Sequence, residues 1–399
     1  MLDSAIFNFS LLDLDLSKRK YRFMDQKVTP DVLSFIANAI INLDTKKLNF
    51  TAKDVWLSEA FVNDVVYIFN KPSALSEEME NEYDKLSAQP LKTLSFGGVL
   101  KEVKVSNKNY YTILKPEVLS YLALNERNSL IFIQNLVLET FKQSHFEANF
   151  SKLVTSLNLN PNDNNAFIVF RNSFEDFMRI ATNIRNVKEI RRILPKTVNP
   201  LLYVHSLPGA RGGRISREPY LYRDLMYNAT NFRDKNKNKN QARAKGKVDY
   251  ANTKYIKYAE SKIMELVKRR HTPNSEIKDD FSFGVASQVH HIYMKSTNKE
   301  FRLMPENLIL LTATQHYTKA HPNNNTQIVD KEYQMVCLRF KLKSIHQSIQ
   351  LNDGFYSIQN FLKILNYELE SKNLDLLEEN KATFIDIEEK VEQLLHDAI

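Results

Sequence analysis

Residues Val289 to His321 read VHHIYMKSTNKEFRLMPENLILLTATQHYTKAH, and this stretch decides how the C-terminal half of the chain is understood. Two adjacent histidines, His290 and His291, are followed 16 residues later by Asn307, and nine residues after that by His316. In an extended segment neighbouring side chains point to opposite sides, so one histidine can face a cation while the other faces a reacting group. An imidazole titrates near neutrality, which suits it to take a proton from water. Phosphodiester hydrolysis needs an activated water, neutralised phosphoryl oxygens and a stabilised leaving oxygen, and a metal ligand beside a base serves all three.

Working outward, Met304 and Pro305 are expected to turn the chain, and residues 306–312 (ENLILLT) read as a short apolar strand. From Ala313 the pattern suits a helix, with Thr312 or Thr314 as N-cap and Pro322 just past its end. His316 falls in the first turn of that helix, where it can close a cation site. The Asn307 amide can tie the two arms of the loop and orient a histidine. His321 lies five residues after His316, one more than the four that share a helical face. It is therefore expected as a phosphate contact or helix-end residue ahead of a third ligand.

Strand, loop, strand, helix with the order His-His, Asn, His resembles the HNH nucleases, the ββα-metal fold. The string ENLILLTATQHYTKAHPNNNTQ resembles a subset found among type II restriction endonucleases. The resemblance covers Gln288 to Leu342 closely and extends weakly upstream. It implies His290 as first metal ligand, His291 as general base, Asn307 as the structural asparagine of the catalytic set, and His316 as second ligand. It also implies Mg²⁺ as cofactor, with Mn²⁺ able to substitute. Many family members carry paired Cys-x-x-Cys knuckles for a structural zinc. Here Cys337 is the single cysteine, so no structural zinc is expected.

The net charge of +8 is concentrated in one place. Arg185 to Lys247 holds 16 Lys or Arg against four Asp or Glu, which leaves 39 basic and 43 acidic residues elsewhere. Within it, 185–192 reads as helix, 207–224 (LPGARGGRISREPYLYRD) as a glycine-broken loop, and 232–247 as a flexible polar stretch. Basic residues at this density fit phosphate neutralisation on DNA. Arg211, Arg214 and Arg217 are the expected DNA contacts here, joined by Lys295, Lys319 and His321 from the histidine-bearing stretch.

Other classes are disfavoured. No GxGxxG and no GxxxxGK[ST] occurs, and eight glycines in 399 residues are few for a Gly-rich nucleotide fold. A single cysteine excludes an internal disulfide and fits a reducing cytoplasm. The N-terminus lacks the basic n-region of a signal peptide, and no run reaches the 18 apolar residues of a membrane span. Asp84 with Glu102 and Lys104 is a weak echo of the Asp…Glu-x-Lys nuclease signature. Asp84 reads as helical, which argues against it.

The expected fold is α+β, multi-domain and mostly helical, with an N-terminal β-hairpin (winged-helix-like) region and a ββα-metal module. Helices are expected over 31–43, 52–69, 76–86 and 115–124, with strands over 91–105 and 110–115. Residues 1–150 read as a DNA-recognition domain and 151–270 as a helical and basic region that grips the DNA backbone. Residues 271–350 read as the nuclease module and 351–399 as an acidic helical region for packing or dimerisation. Taken together with the resemblance, this describes a type II site-specific deoxyribonuclease of a restriction system, type IIS behaviour included. Its partners would be double-stranded DNA and a separately encoded DNA methyltransferase, with a homodimer left open. A homing or phage-type HNH endonuclease is the nearest alternative, and a DNA-binding regulator with an inactive HNH module is another.

Overall fold

Proline at the first position of a helix costs no hydrogen bond, because the first N–H groups have no partner within the helix. α1 (Pro30–Ile41) begins in this way, and Pro30 through Ile40 are all buried. A helix that is apolar all round must be wrapped by neighbours. In this computed structural model, which describes residues 6–18, 20–43, 49–69, 71–75, 79–227, 253–321, 329–378 and 381–398, those neighbours are other helices. They are α2 (Ala52–Trp56), α3 (Glu59–Phe69), α4 (Glu80–Phe96), α5 (Pro116–Leu124) and α6 (Glu126–Gln143). α7 (Glu147–Leu159) and α8 (Asn164–Ala181) fold back on each other, and α9 (Val187–Val204) packs on α6 and α8. All belong to one compact unit, Met1–Tyr255; a second comprises Ile256–Ile399. The described residues are thus mostly helical with small antiparallel sheets, an α+β chain.

Three expectations for the first unit are corrected. Residues 91–96 are the last turns of α4, not strand. Leu86, Ser87, Pro90, Leu91 and Leu94 are buried at helical spacing, so tertiary packing carries the helix past Pro90. It ends at Gly97 and Gly98, the latter at φ +70°, a conformation that costs glycine little. β1 (Leu100–Val105) and β2 (Lys108–Ile113) then form one hairpin, with Leu100 opposite Ile113. The helix expected over 52–69 is broken at Ser58, whose hydroxyl accepts from the Phe61 N–H (3.3 Å).

Residues 207–224 are not a loop but a second hairpin, β3 (Pro208–Arg211) and β4 (Arg214–Pro219). Gly212 and Gly213 have φ of +60° and +83°, the two consecutive positive values that a tight two-residue hairpin turn requires. Asn199 of α9 holds β3 by donating to the Ala210 carbonyl (3.1 Å) and accepting from its N–H (2.7 Å). The stretch 232–247 lies outside the described residues.

The second unit begins within α10 (Thr253–His271) and reaches β5 (Gln288–His291), paired antiparallel with β6 (Leu308–Leu311). His290 faces Ile309 in the register and His291 faces Leu308. β6 begins later than the expected 306 because Pro305–Asn307 forms a tight helical turn. α11 (Lys331–Leu351), α12 (Ile358–Ser371) and α13 (Phe384–His396) complete the unit, α11 against α13. Among the described residues no helix is long and apolar enough to cross a membrane.

Glu276 holds this unit together. Its N–H donates to the Leu310 carbonyl (3.0 Å), and its Oε1 accepts from the Leu310 N–H (2.8 Å). Its Oε2 accepts from Lys341 Nζ and Ser344 Oγ, each at 2.6 Å. The Glu276 and Lys341 side chains are both 0% exposed. Burial pushes the Glu276 carboxyl up, but the charges of Lys341 and His271 outweigh it and hold it below the usual range. Removing one partner of such a pair strands the other charge, at a cost of about 3–5 kcal/mol, whereas removing both is far milder. Lys341→Met should therefore destabilise the chain by about that amount in urea unfolding, and adding Glu276→Gln should recover most of it. Additive losses in the double variant would show that the two side chains act independently.

Candidate metal centre

β5 places His290 and His291 on opposite sides of a two-stranded ribbon, and two amides fix that ribbon's ends. Asn307, fully buried, donates from Nδ2 to the Tyr293 carbonyl (3.0 Å) and accepts at Oδ1 from the Tyr293 N–H (2.8 Å). Its own carbonyl accepts from the Ile292 N–H (2.9 Å). Asn307 thus ties the two arms of the loop through backbone alone. Its amide is engaged there, which fixes the loop beside the histidines.

Gln315 was not foreseen. Its Oε1 accepts from the Thr312 N–H (3.0 Å), and the Gln315 N–H donates to Thr312 Oγ1 (3.2 Å). This is a reciprocal capping box, and its T-x-x-Q signature stood in the sequence. Of the two proposed N-caps, Thr312 is the one used. Gln315 Nε2 also donates to the Ile277 carbonyl (3.0 Å) and Asp279 Oδ1 (2.8 Å), which locks the helix start to the preceding loop.

Beyond Gln315 the helix widens. Gln315–Ala320 is a π-helical turn, closed by the His321 N–H donating to the His316 carbonyl (3.2 Å). A π-turn bonds i to i+5, so residues five apart share a face. The expectation that this spacing takes His321 off the ligand face is therefore corrected. His290, His316 and His321 converge, with their potential ligand nitrogens all within 4.8 Å of one another. Ring centroids stand 5.4 Å apart for His290–His316 and 4.8 Å for each pair with His321.

This donor set fits a cation. Burial, with His321, His316 and His291 nearby, holds His290 well below the usual imidazole range. Burial and His321 lower His316 to about 4. Both rings are thus neutral at neutral pH, the form that ligates metal. The buried Nδ1 of His316 has no hydrogen-bond partner. Metal–nitrogen bonds of about 2.1 Å set tetrahedral ligand atoms roughly 3.4 Å apart, within reach of small ring rotations. Three imidazoles suit Zn²⁺ or Ni²⁺; Mg²⁺ prefers oxygen ligands and would have to keep several waters here.

His291 faces a different environment. Its ring hydrogen-bonds the Arg302 backbone, and its buried Nε2 has no hydrogen-bond partner. Nδ1 is then the donor, and Nε2 carries the lone pair, the tautomer a base needs. Burial lowers its pKa, partly offset by Glu260, whose Oε1 lies 3.9 Å from Nε2. Lys295, expected as a DNA contact, and Arg302, not foreseen, both pair with Glu260. Nothing local in the sequence links Glu260 to a histidine 31 residues later. Gln334, also unforeseen, donates to the Ile292 carbonyl (2.6 Å) just past the histidine pair. Lys319, the other expected contact, places its ammonium 4.4 Å from the Phe281 ring centroid.

In the first unit the three arginines sit on the β3–β4 hairpin. Arg211 and Arg214 face each other across the turn, and all three are exposed. Among the described residues none of the three forms a salt bridge. Arg171 Nη1 donates to the Gly213 carbonyl (3.0 Å) and steadies the tip. Like charges directly opposite are unfavourable in a hairpin. Elsewhere, the rival Glu102 carboxylate accepts from Tyr21 Oη and Tyr111 Oη, and Asp84 lies in α4, as the sequence led one to expect, rather than on a strand.

No protein-family model, curated protein or solved structure matches this chain.

His321→Ala should weaken Zn²⁺ binding at least about tenfold, as much as His316→Ala, when measured by calorimetry. Wild-type affinity in His321→Ala would reduce the centre to two histidines. Neutralising Arg211, Arg214 and Arg217 together should weaken binding to cognate and scrambled duplexes alike, flattening the log–log salt slope by about one unit per lost contact. A loss confined to one sequence, with an unchanged slope, would make these arginines base readers.

Proposed function

We propose that this chain is a divalent-metal-dependent DNA endonuclease of the HNH (ββα-metal) type, acting as a type II restriction enzyme. The observation that carries the reading is a three-histidine cluster on one side of β5, with an imidazole of free Nε2 lone pair at the very next residue. Cation site and base are thereby fixed to one another by a single peptide unit and by the Asn307 clasp. A cation held by His290, His316 and His321 would supply Lewis-acid stabilisation of the phosphoryl and leaving oxygens.

The chain's own groups do the rest. His291 takes a proton from the attacking water through Nε2, while its Nδ1–H, bound to the Arg302 backbone, keeps the ring in place. Lys295 and Arg302 supply positive charge beside the base, where a phosphate would lie. The arginine hairpin and the basic stretch around it grip the DNA backbone. Residues 1–150, helices followed by the β1–β2 hairpin as wing, serve as a winged-helix-like reader. Double-stranded DNA is the substrate, and a separate methyltransferase protects host sites.

Nicking of supercoiled plasmid by the purified protein with Zn²⁺, Ni²⁺, Mn²⁺ or Mg²⁺ tests this reading. His291→Ala should lower the rate by about 10²- to 10⁴-fold, the usual worth of a general base, and leave duplex binding in EDTA unchanged. If wild type cuts with none of these cations, the nuclease reading fails. If His291→Ala cuts like wild type, the base lies elsewhere.

A further inference from the structure

On the His291 side of β5, two cations converge on one carboxylate. Arg302 donates from Nε (2.9 Å) and Nη2 (2.6 Å) to Glu260 Oε2. Lys295 Nζ donates to Glu260 Oε1. His291 Nε2, which has no hydrogen-bond partner, lies 3.9 Å from the same Oε1. That distance is too long for a hydrogen bond, so the nitrogen is close to the carboxylate without being engaged by it.

The cluster carries more positive charge than a brace for α10 requires. One cation suffices to satisfy a carboxylate, and here two positive groups surround one negative. The cations also reach the surface: Lys295 is 50% exposed and Arg302 28%, while Glu260 is 7% exposed. A phosphodiester group resembles a carboxylate in what such a seat recognises. Each carries one negative charge on two oxygens and accepts from a guanidinium and an ammonium together. Exchanging one for the other leaves the charge of the seat unchanged, so no charge accumulates in a half-buried site.

We propose that Lys295 and Arg302 form the phosphodiester seat of the cutting site, and that Glu260 fills it as an internal stand-in until DNA displaces the carboxylate. The assignment rests on the nuclease reading above and deepens it. Glu260 is a competitor for the seat rather than a catalytic residue. Its departure leaves a phosphate next to the unpartnered Nε2 of His291.

Binding of a short duplex by the full chain in EDTA, at several salt concentrations, tests the seat without any cleavage. Glu260→Gln keeps the side chain's shape and removes the competing charge. It should bind roughly tenfold tighter at low salt, with a log–log slope steeper by about one unit. Glu260→Gln combined with Arg302→Gln should lose that gain. Lys295→Gln, at an exposed position where folding is not at stake, should weaken binding and flatten the slope by about one unit. Inorganic phosphate should compete more effectively against the duplex in Glu260→Gln than in wild type. Unchanged or weaker binding by Glu260→Gln with wild-type melting makes Glu260 a brace and overturns the proposal. Unchanged affinity in Lys295→Gln overturns it also if Glu260→Gln proves unstable. Plasmid nicking by wild type without these shifts would remove the seat and leave the nuclease reading standing. The shifts without nicking would do the reverse.

Discussion

A single buried carboxylate, Glu276, sets the frame on which the histidine cluster stands. Two strands of four residues cannot hold themselves in water; they need further strands or packed helices. Glu276 substitutes for part of a neighbouring strand by pairing its backbone and Oε1 with Leu310, while Oε2 is anchored to Lys341 and Ser344 of α11. Gln334, also on α11, caps the carbonyl of Ile292 immediately past β5. Both strands are thus fastened to one helix by side chains. A buried polar network of this kind is stable only when every member is satisfied, which makes it specific to one arrangement.

The same economy shapes the turn that carries His316 and His321. A π-turn has poorer hydrogen bonds than an α-helix and occurs mainly as an isolated turn, often at functional sites. Here it is fixed at both ends. The Thr312–Gln315 box closes the first turn, and the Asp330 N–H donates to the Ala320 carbonyl (3.2 Å) at the other end. A regular α-helix over the same residues would rotate His321 away from His290. The wider turn has a clear consequence: two histidines of odd spacing meet on one face.

The sequence was most legible where local chemistry decides structure. The histidine pair, the apolar strand, Asn307 and the Thr312 N-cap follow from alternation and capping, and the structure places them accordingly. What escaped depends on contacts distant in the chain. Residues 91–96 look like strand until Leu91 and Leu94 are packed beneath α4's other buried positions. The hairpin at 208–219 was hidden because its strands are short and polar; only the Gly212–Gly213 pair announces the turn. His321 was misplaced because periodicity assumes 3.6 residues per turn. Glu260, Glu276 and Gln334 act across 31, 34 and 42 residues, and no window of sequence contains both partners.

The two sides of β5 divide charge in a way that bears on chemistry. On the His290 side the potential ligands are three imidazoles, with no carboxylate among them. A cation held there would keep its full charge for the substrate, whereas carboxylate ligands would cancel part of it. Burial keeps His290 and His316 deprotonated well into acid, so protons do not compete for those nitrogens near neutrality. On the His291 side the acid is present, but Glu260 is spent on Lys295 and Arg302 rather than on the ring. The imidazole thus lies between a side that offers no negative charge and one whose negative charge is already paired. In that setting its buried Nε2 has no hydrogen-bond partner, which leaves its lone pair available to accept a proton.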